Sequence, residues 1–359
     1  MQNSIGSSVI LTLFGESHGH YIGGTIDGLP GGIKIDEEFL KEELNKRRPK
    51  VDMDTPRIEN DEYEFISGVF NGYTTGAPLT ILIKNSNVKS SDYSSELIRP
   101  SHADYVAKMK YHDHNDYRGG GHFSGRLTAV IVALGSIAKK ALMDKGIIIK
   151  SHLLSIGDIE DKKFDNYLED IALMNSHSNP TILDKDKEIK ELLNGLKSEQ
   201  DSIGGRIETV VLNLPLGIGE PWFPSLEGTI ANAMFSIGGI KGIEFGRGFE
   251  MAKLKGSDVN DELYFDGENV QAYSNNSGGI NGGISNGNPI TFTVAVKPTP
   301  SIGKSQRSIN LDNKENVEIN LKGRHDPAIV RRIPIVIENL LSIVLADELT
   351  KQFGKDYLL

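Results

Sequence analysis

Histidine, arginine and serine side chains stand beside glycines at several points of this chain, and this combination could carry acid–base and anion-binding chemistry. The stretch RGGGHFSGRLTA, residues 118–129, has three consecutive glycines followed by His122, Ser124 and Arg126. Arginine presents a planar fork of donors to phosphate or carboxylate. Glycine lets backbone N–H groups approach the same oxygens. The pattern therefore predicts a site for small anions near this stretch.

Other clusters of the same composition are spread along the sequence. They are FGESHGHYIGG (14–24), KRRPK (46–50), RPSHADY (99–105), SNNSGGINGGIS (274–285) and GRHDPAIVRR (323–332). Surface salt bridges would explain any single arginine, but they explain poorly why several stand beside glycines and hydroxyls. No nucleotide-binding phosphate loop is present, and no GxGxxG opens a βαβ unit.

The histidines in these clusters favour general acid chemistry over metal binding. A histidine near neutral pH can deliver a proton to a departing oxyanion, although a structural hydrogen-bonding role is the alternative for each one. No HxxxH or HExxH pair supports zinc, so no metal is expected. Glu16, Ser17 and His18 are adjacent in sequence, which does not by itself give the geometry of a catalytic triad. Asp326 could act as a base or as a salt-bridge partner.

The composition limits the classes of protein. The chain has 359 residues, a formal net charge of −10, 38% hydrophobic and 25% charged residues, and no cysteine. The negative charge argues against a general nucleic-acid or anionic-membrane partner. The missing cysteine excludes disulfides, thiolate metal sites and a cysteine nucleophile. No run approaches the ~20 apolar residues of a membrane span, and the first residues lack a basic signal region. A cytoplasmic protein is expected.

The hydrophobic patterns predict one large α+β domain over residues 1–359, because no linker divides the chain. Helices are predicted after Asp36, over 127–145, after Ser225 and from Arg331 to Gly354, and strands from Gly76, Arg206 and Pro289. The segment of about 155–201 is charged and poor in glycine. We expect it to be helical, peripheral and mostly solvated.

Six motifs in order make the chain resemble the chorismate synthase family. They are FGESHG, RPSHADY, DYRGGGHFSGR, SNNSGGINGGIS, AVKPTPSI and GRHDP, and the similarity extends over about residues 8–349. The resemblance implies a single-domain three-layer β/α/β sandwich with antiparallel sheets, assembled as a homotetramer. It also implies the last enzyme of the shikimate pathway.

The activity implied by this resemblance is an anti 1,4-elimination of phosphate from 5-enolpyruvylshikimate 3-phosphate, giving chorismate. The family needs reduced FMN, although the reaction has no net redox change. Since the chain shows no reductase domain, an external flavin reductant is expected. The substrate has two carboxylates and a phosphate, and the resemblance implies that the arginine-rich clusters bind these anionic groups.

The resemblance also implies roles for particular residues. His18 would protonate or stabilise the departing phosphate, His102 would lie near the flavin, and Asp326 would take a proton from the flavin ring. Ser17 and Ser124 would position substrate or flavin. The implied substrate-binding residues are Arg47, Arg48, Arg99 and Arg126. The implied flavin-binding residues are His122, Phe123, Ser124, Gly238, Gly239, Gly282, Lys297, Pro298, Thr299, Pro300, Ser301 and Arg324.

The sequence departs from the commoner family pattern at several positions. His122 and Phe123 replace an arginine and a serine, so the flavin contacts at these two positions are expected to differ from the family pattern. Gly238 and Gly239 offer only backbone groups. Met53 stands where an arginine is expected, so a contact to substrate or to the pyridine nucleotide NADP is expected to be lost.

Two other functions fit the same clusters. An ordinary flavin oxidoreductase would cycle FMN with NAD(P)H and change the oxidation state of its substrate. A non-catalytic nucleotide or phosphate sensor would tolerate the loss of His18 and Asp326 without losing ligand affinity.

Overall fold

The computed structural model describes residues 3–50, 54, 59–86, 93–321 and 326–359. Two residues named above, Met53 and Arg324, lie outside these ranges.

The strands of the described residues are numbered in chain order. They are β1 (Ser4–Ile5), β2 (Ile10–Gly15), β3 (Tyr21–Asp27), β4 (Gly31–Lys34), β5 (Tyr63–Ser67), β6 (Val69–Phe70), β7 (Tyr73–Thr75), β8 (Leu79–Lys84), β9 (Ile148–Ile156), β10 (Ile159–Glu160), β11 (Gly205–Leu212), β12 (Ile240–Phe245), β13 (Leu263–Asp266), β14 (Asn269–Ala272), β15 (Ile280–Asn281), β16 (Ile284–Ser285), β17 (Ile290–Val296), β18 (Gln306–Asn310) and β19 (Glu315–Ile319).

The α-helices are numbered in the same way. They are α1 (Glu37–Arg47), α2 (Asp104–Lys110), α3 (Thr128–Asp144), α4 (Tyr167–Met174), α5 (Asp186–Glu199), α6 (Leu226–Ser236), α7 (Gly256–Val259) and α8 (Ile333–Phe353).

Two five-stranded antiparallel sheets form the outer layers. The first has the order β1-β2-β3-β8-β5 and the second has the order β10-β9-β11-β17-β12. Strand β11 of the second sheet is buried on both faces, whereas the alternating buried Leu79, Ile81 and Ile83 show that β8 of the first sheet buries one face. This period of two is what a strand with one covered face requires.

Helices α3 and α8 pack against each other between the sheets. Helix α3 contacts β3 and β8 of the first sheet, and α8 contacts β9 and β11 of the second. The helices cross closely at Gly135, where an added Cβ would lie 2.4 Å from the carbonyl oxygen of Asn339. Because both helices are covered on all sides, nearly every residue of each is buried. The layers are sheet, helix, sheet, which confirms the predicted β/α/β sandwich.

A buried group of charges joins α1, α3 and α8. The Nζ atom of Lys139 donates to Glu43 and to Glu338, each at 2.6 Å. Burial raises the pKa of Glu43, but the charges of Lys139 and Lys46 outweigh this effect and lower it to about 2. This group fixes α1 against the central helices, and α1 ends at Arg47.

The helices and strands predicted from the hydrophobic patterns are all present, with small differences at their ends. Asp36 caps α1 by accepting a hydrogen bond from Phe39 N at 3.0 Å, and Ser225 caps α6 in the same way. The segment 155–201 holds α4 and α5, but it also contains the end of β9 and the strand β10. One face of α5 carries Ile189 and Leu193 into the core, so this helix is amphipathic rather than mostly solvated. Within the described ranges, no helix is long and apolar enough to cross a membrane.

Candidate active site

The glycines of RGGGHFSGR form a turn that packs directly against two histidines. Arg118–Phe123 is a 3-10 segment in which Gly119 and Gly120 have φ angles of 61° and 85°. A Cβ on Gly119 would lie 2.4 Å from Nε2 of His18, and one on Gly120 would lie 3.2 Å from Cε1 of His102. Any side chain on Gly119 would therefore push His18 away. The two histidines, 84 positions apart in the sequence, meet consecutive residues of this glycine turn.

Ser17 holds the glycine turn in place beneath His18. Its hydroxyl donates to the carbonyl oxygens of Arg118 at 3.3 Å and Gly119 at 3.2 Å, and its backbone N–H donates to Gly121 at 3.1 Å. Both Ser17 and His18 are buried. The His18 ring also makes an edge contact with Tyr93, with ring centroids 5.2 Å apart.

His102 is oriented by an aspartate that also binds an arginine. Nδ1 of His102 lies 2.7 Å from Oδ1 of Asp104, and Arg99 donates to the same carboxylate from Nε at 2.8 Å and from Nη2 at 2.7 Å. Burial raises the pKa of Asp104, but the hydrogen bonds from Arg99 and His102 outweigh it and hold the pKa well below its usual range. Since an ionised carboxylate can only accept, Nδ1 of His102 carries the hydrogen in this pair.

The carboxylate of Asp61 gathers three arginines. Arg47 Nη2 lies 3.3 and 3.0 Å from its two oxygens, Arg126 Nη1 pairs with Oδ1, and Arg48 Nε lies 3.5 Å from Oδ2. The Asp61 side chain is fully buried, and its backbone has a φ of 50°. Arg126 is also 3.3 Å from Glu59 Oε2. These contacts hold Arg47 and Arg126 side by side although the two are far apart in sequence.

The charges around Asp61 leave a surplus of positive potential. Burial raises the pKa of Asp61, but the charges of Arg47 and Arg126 outweigh it, so the net shift is downward. Burial lowers the pKa of Arg47, the charge of Asp61 opposes this, and the charges of Arg126 and Arg332 add to the lowering. A bound anion would relieve this repulsion.

A cavity of about 570 Å³, here called the central cavity, opens beside these arginines. Eleven of the residues singled out from the sequence line it, drawn from five separate segments. They are Arg47, His102, Phe123, Ser124, Arg126, Gly238, Gly239, Lys297, Thr299, Pro300 and Ser301. Ile237, Ile329 and Val336 add an apolar wall. The cavity thus combines cations at one side with an apolar surface.

Other predicted site residues lie next to the central cavity rather than in its wall, as far as the described residues show. Asp326 is buried, accepts a hydrogen bond from Ala328 N at 3.1 Å, and pairs with Arg332, which does line the cavity. His122 Nδ1 lies 2.8 Å from the carbonyl oxygen of Gly15. Pro298 follows Lys297 and packs near Gly204. Arg324 cannot be compared, because it lies outside the described residues.

Three further predicted residues are placed elsewhere. Gly282 stands at the turn of the β15–β16 hairpin, where a Cβ would meet no atom within 4 Å. Arg99 lines a separate cavity of about 520 Å³ together with Tyr93 and Lys108. Arg48 lines a third cavity, of about 400 Å³, on the other side of the end of α1.

Several side chains of the candidate site were not singled out from the sequence. Arg332 and Lys241 both line the central cavity, and Asp61 and Asp104 orient the predicted arginines and His102. Burial lowers the pKa of Lys297, and the charge of Lys241 adds to this. Arg332 is the last residue of the cluster GRHDPAIVRR, and its place in this cluster could have identified it. Nothing in the local sequence marks Asp61.

Two buried donors in the central cavity have no partner. The Nε atoms of Arg47 and Arg332 make no hydrogen bond to any part of the chain that the structure describes. A buried polar group without a partner costs free energy, ~1–3 kcal/mol and more if charged. These donors fit an anionic ligand. Within the same ranges, no group of three or more His, Asp or Glu side chains could hold a metal ion.

The sandwich and its cavity define a protein of the chorismate synthase fold. A crystal structure of a chorismate synthase superimposes with a TM-score of 0.77 and 32% sequence identity, covering 97% of this chain and 94% of that one. The sequence profile of the chorismate synthase family matches residues 9–350. The chain therefore belongs to the chorismate synthase family.

Curated relatives agree over almost the full length of both chains. The chorismate synthase of Methanocaldococcus jannaschii is 43% identical over 368 aligned positions, which cover 98% of this chain and 97% of the relative. The chorismate synthase of Dehalococcoides mccartyi is 44% identical over 352 positions, covering 97% and 96%. This similarity confirms the family indicated by the sequence motifs.

Proposed function

We propose that this protein is a lyase that eliminates phosphate from 5-enolpyruvylshikimate 3-phosphate to give chorismate, with reduced FMN and without net redox change. The observation that carries the proposal is the convergence of eleven residues singled out from the sequence on one cavity in a chain of this family. The substrate has three anionic groups, and the cavity has a surplus of cations. The geometry and the family therefore support the same reaction.

The central cavity fits a flavin with its phosphate. Gly238 leaves open space where a side chain would stand, and Gly239 has a φ of 100°. Phe123, Ile237 and Ile329 supply apolar surface for a ring system. Thr299 and Ser301 supply hydroxyls, and Lys241 and Lys297 supply charge for a phosphate. When bound, reduced FMN supplies the electron density that the elimination needs and is regained unchanged.

Arg47, Arg126 and Arg332 are the residues that we assign to the substrate anions. Asp61 and Asp326 fix their guanidinium groups before any ligand binds. The Nε donors of Arg47 and Arg332 are unpartnered but closed to solvent, so a ligand oxygen would reach them only after a shift of the side chains. Guanidinium groups that carboxylates already hold in place stabilise developing negative charge with little reorganisation during the reaction. Arg48 and Arg99 belong to the substrate site only if they move from their present cavities.

The two histidines carry the proton chemistry in this proposal. His18 is buried beside Ser17 and delivers a proton to, or hydrogen-bonds, the departing phosphate. His102 lines the cavity, and Asp104 fixes its ring through Nδ1, so that Nε2 is the atom left for the ligands. Ser124 caps the turn before α3 by accepting a hydrogen bond from Arg126 N at 3.3 Å, which sets its hydroxyl in the cavity wall.

Asp326 is assigned the role of the base. It is 6% exposed and paired with Arg332. A proton that reaches its carboxylate neutralises it, so Arg332 loses its counter-ion and binds an anion more strongly. The alternative is that Asp326 acts only as the salt-bridge partner of Arg332. That role requires its negative charge but no proton transfer.

Assembly as a homotetramer and an external source of reducing equivalents are parts of the same proposal. Large apolar side chains stand exposed outside the central cavity, among them Trp222 at 85%, Phe223 at 96% and Phe265 at 77%. Contiguous exposed apolar surface is typical of contact sites between chains. Light scattering should give four times the chain mass of 39.3 kDa; a monomer at micromolar concentration would contradict the tetramer.

Anaerobic incubation with reduced FMN and 5-enolpyruvylshikimate 3-phosphate tests the reaction. We expect chorismate absorbance and inorganic phosphate to rise together, with many turnovers per FMN and no consumption of NAD(P)H beyond the initial reduction. Stoichiometric consumption of NAD(P)H would identify a flavin oxidoreductase instead. Tight ligand binding without product would identify a sensor.

A further inference from the structure

The third cavity described above, which Arg48 lines, is separate from the central cavity and lies on the other side of the C-terminal end of α1. It has a volume of about 400 Å³ and is enclosed by the end of α1, the strand β9, the segment 174–180 and the start of α8. Six cations line it: Lys46, Arg48, Lys50, Lys150, Arg331 and Arg332. We call it the lysine cavity. Its volume is within the usual range for small-ligand sites.

Four of these cations have a carboxylate partner, namely Lys46 with Glu43, Arg48 with Asp61, Arg331 with Asp54 and Arg332 with Asp326, so the surplus of positive charge comes from Lys50 and Lys150. Among the described lining residues only Asp54 and Glu338 are acidic. Asp54 pairs with Arg331 and accepts a hydrogen bond from the backbone of Lys50 at 2.8 Å. Glu338 binds Lys139 at 2.6 Å and Ser151 N at 2.9 Å. Both carboxylates are therefore already used, in a protein whose overall formal charge is −10.

Two lysines of this cavity lack a close counter-ion among the described residues. The Nζ atom of Lys150 is 3.9 Å from Glu338, beyond hydrogen-bond distance. The Nζ atom of Lys50 donates to the carbonyl oxygen of Ser178, which carries no net charge. Burial lowers the pKa of Lys50 and the charge of Arg331 adds to this, whereas the charges of Asp186 and Asp54 oppose it without outweighing it. Positive charge that has no hydrogen-bonded carboxylate is left in excess at the wall of this cavity, and a bound anion would reduce that excess.

We propose that the lysine cavity is a second binding site, which takes the phosphate group of a small anion through Lys50 and Lys150. Lysine binds phosphate as a compact point charge. Ser178 and Asn175, which also line the cavity, provide neutral polar groups for the remainder of such a ligand. The site does not depend on the proposed reaction, because His18, His102, Ser124 and Asp326 are not among its lining residues.

Occupancy of the lysine cavity would reach the central cavity through two shared side chains. Arg332 lines both cavities, and Arg48 lines the lysine cavity while its Nε lies 3.5 Å from Asp61. An anion that draws either guanidinium toward the lysine cavity changes the charge around Asp61. We therefore expect anion binding at one site to change the affinity of the other site for its anion.

Calorimetric titration of the full chain with inorganic phosphate tests the second site. We expect at least two phosphates per chain for the unaltered protein, one in the lysine cavity and the others in the central cavity. Lys50→Gln combined with Lys150→Gln should remove the first or weaken it by about tenfold or more, the scale of lost contacts to charged groups. Lys241→Gln combined with Lys297→Gln should instead remove a phosphate from the central cavity. Lys253→Gln combined with Lys255→Gln, which changes two exposed lysines outside both cavities, should leave phosphate binding at both cavities unchanged.

The inference is overturned if Lys50→Gln/Lys150→Gln binds phosphate like the unaltered chain, or if only the Lys241/Lys297 pair affects binding. Lys50→Arg/Lys150→Arg should bind phosphate like the unaltered chain, because the charge is kept. If this variant and the glutamine variant both melt at a lower temperature than the unaltered protein, misfolding explains their loss of binding. Electron density between Lys50 and Lys150, in a crystal of the unaltered chain soaked in phosphate, then decides whether the site exists. A parallel titration with glycerol 3-phosphate distinguishes a free phosphate ligand from a phosphomonoester: the tighter binder identifies the ligand class, and either order supports the site.

Discussion

The carboxylate of Asp61 accepts hydrogen bonds from the guanidinium group of Arg47, at 3.3 and 3.0 Å, in a fully buried environment. Helix α1 ends at Arg47, whereas Asp61 lies beyond the residues that follow the helix, with its backbone in the left-handed region. The same carboxylate pairs with Arg126 at the start of α3. This one side chain therefore decides the spacing of two arginines of the central cavity to which we assign anion binding.

Asp61→Asn should destabilise the protein by about 3–5 kcal/mol, because removing one partner leaves buried charges uncompensated. Urea unfolding measures the change, and Asp158→Asn, at an exposed aspartate, should change stability little. Inorganic phosphate should restore part of the lost stability, since an anion can take the place of the carboxylate. Equal stability of Asp61→Asn and the unaltered protein would show that the arginines do not need Asp61.

The pKa of Asp61 is lowered in the folded protein, so its ionised form stabilises the fold. This contribution is fully present above the unfolded pKa of about 3.9 and is lost as the pH falls through the lower folded value. The difference in unfolding free energy between the unaltered protein and Asp61→Asn should therefore shrink in acid. A difference that stays constant down to about pH 2 would contradict the assignment.

His152 should give the opposite dependence on pH. It is fully buried, with Nδ1 3.2 Å from Asp161 and Nε2 2.9 Å from Glu208. Burial lowers its pKa, but the hydrogen bonds with both carboxylates outweigh this and raise it. The charged ring therefore stabilises the fold fully below the unfolded pKa of about 6.5, and this stabilisation is lost as the pH rises through the folded value.

Thermal unfolding of His152→Gln across this pH range measures the effect. The deficit of the variant relative to the unaltered protein should be largest in weak acid and should decrease in alkali. His114→Gln, at an exposed histidine, serves as the control and should follow the unaltered protein. A deficit independent of pH would mean that His152 is neutral in the fold.

Gly119→Ala should lower turnover more than stability. The added Cβ would lie 2.4 Å from His18 Nε2, so the ring must move, and the φ of 61° adds a backbone cost of about 1–2 kcal/mol. We expect kcat to fall by about tenfold or more, because displaced acid–base groups lose their geometry. Gly125→Ala is a matched control, since its Cβ would meet nothing within 4 Å. Equal kcat for both variants would show that the position of His18 is unimportant.

His18→Ala should slow phosphate release by about 10²–10⁴-fold while FMN still binds, the usual scale for the loss of a general acid. Single-turnover phosphate release and flavin fluorescence give the two readouts. His20→Ala, two positions away and exposed, should retain the rate of the unaltered protein. An unchanged rate in His18→Ala would remove His18 from the mechanism.

Asp326→Asn should leave substrate and FMN bound but lower kcat by about 10²–10⁴-fold, because the base is lost. Arg332→Ala distinguishes this role from a structural one: it should raise KM for the substrate more than it lowers kcat, since it removes an anion contact. If Asp326→Asn and Arg332→Ala both changed only KM, Asp326 would be a positioning residue for Arg332.

The sequence by itself determined several of the helices and strands and indicated the family. Apolar periodicity located α3, α8, β8 and β17, because a helix or strand must bury a continuous stripe of side chains. Glycine, histidine and arginine clusters identified the segments of the site, and their order indicated the family. The family resemblance also implied the three-layer sandwich, whereas the local patterns alone predicted only an α+β domain.

Only the tertiary structure decided which of these side chains share a cavity. Arg47 and Arg48 are neighbours in sequence, yet Arg47 lines the central cavity and Arg48 the lysine cavity, because consecutive residues at a helix end point in different directions. Asp61 has no local pattern to mark it, since its role comes from α1 and α3 meeting over one buried carboxylate. Such contacts depend on how the layers pack, and no short stretch of sequence records that.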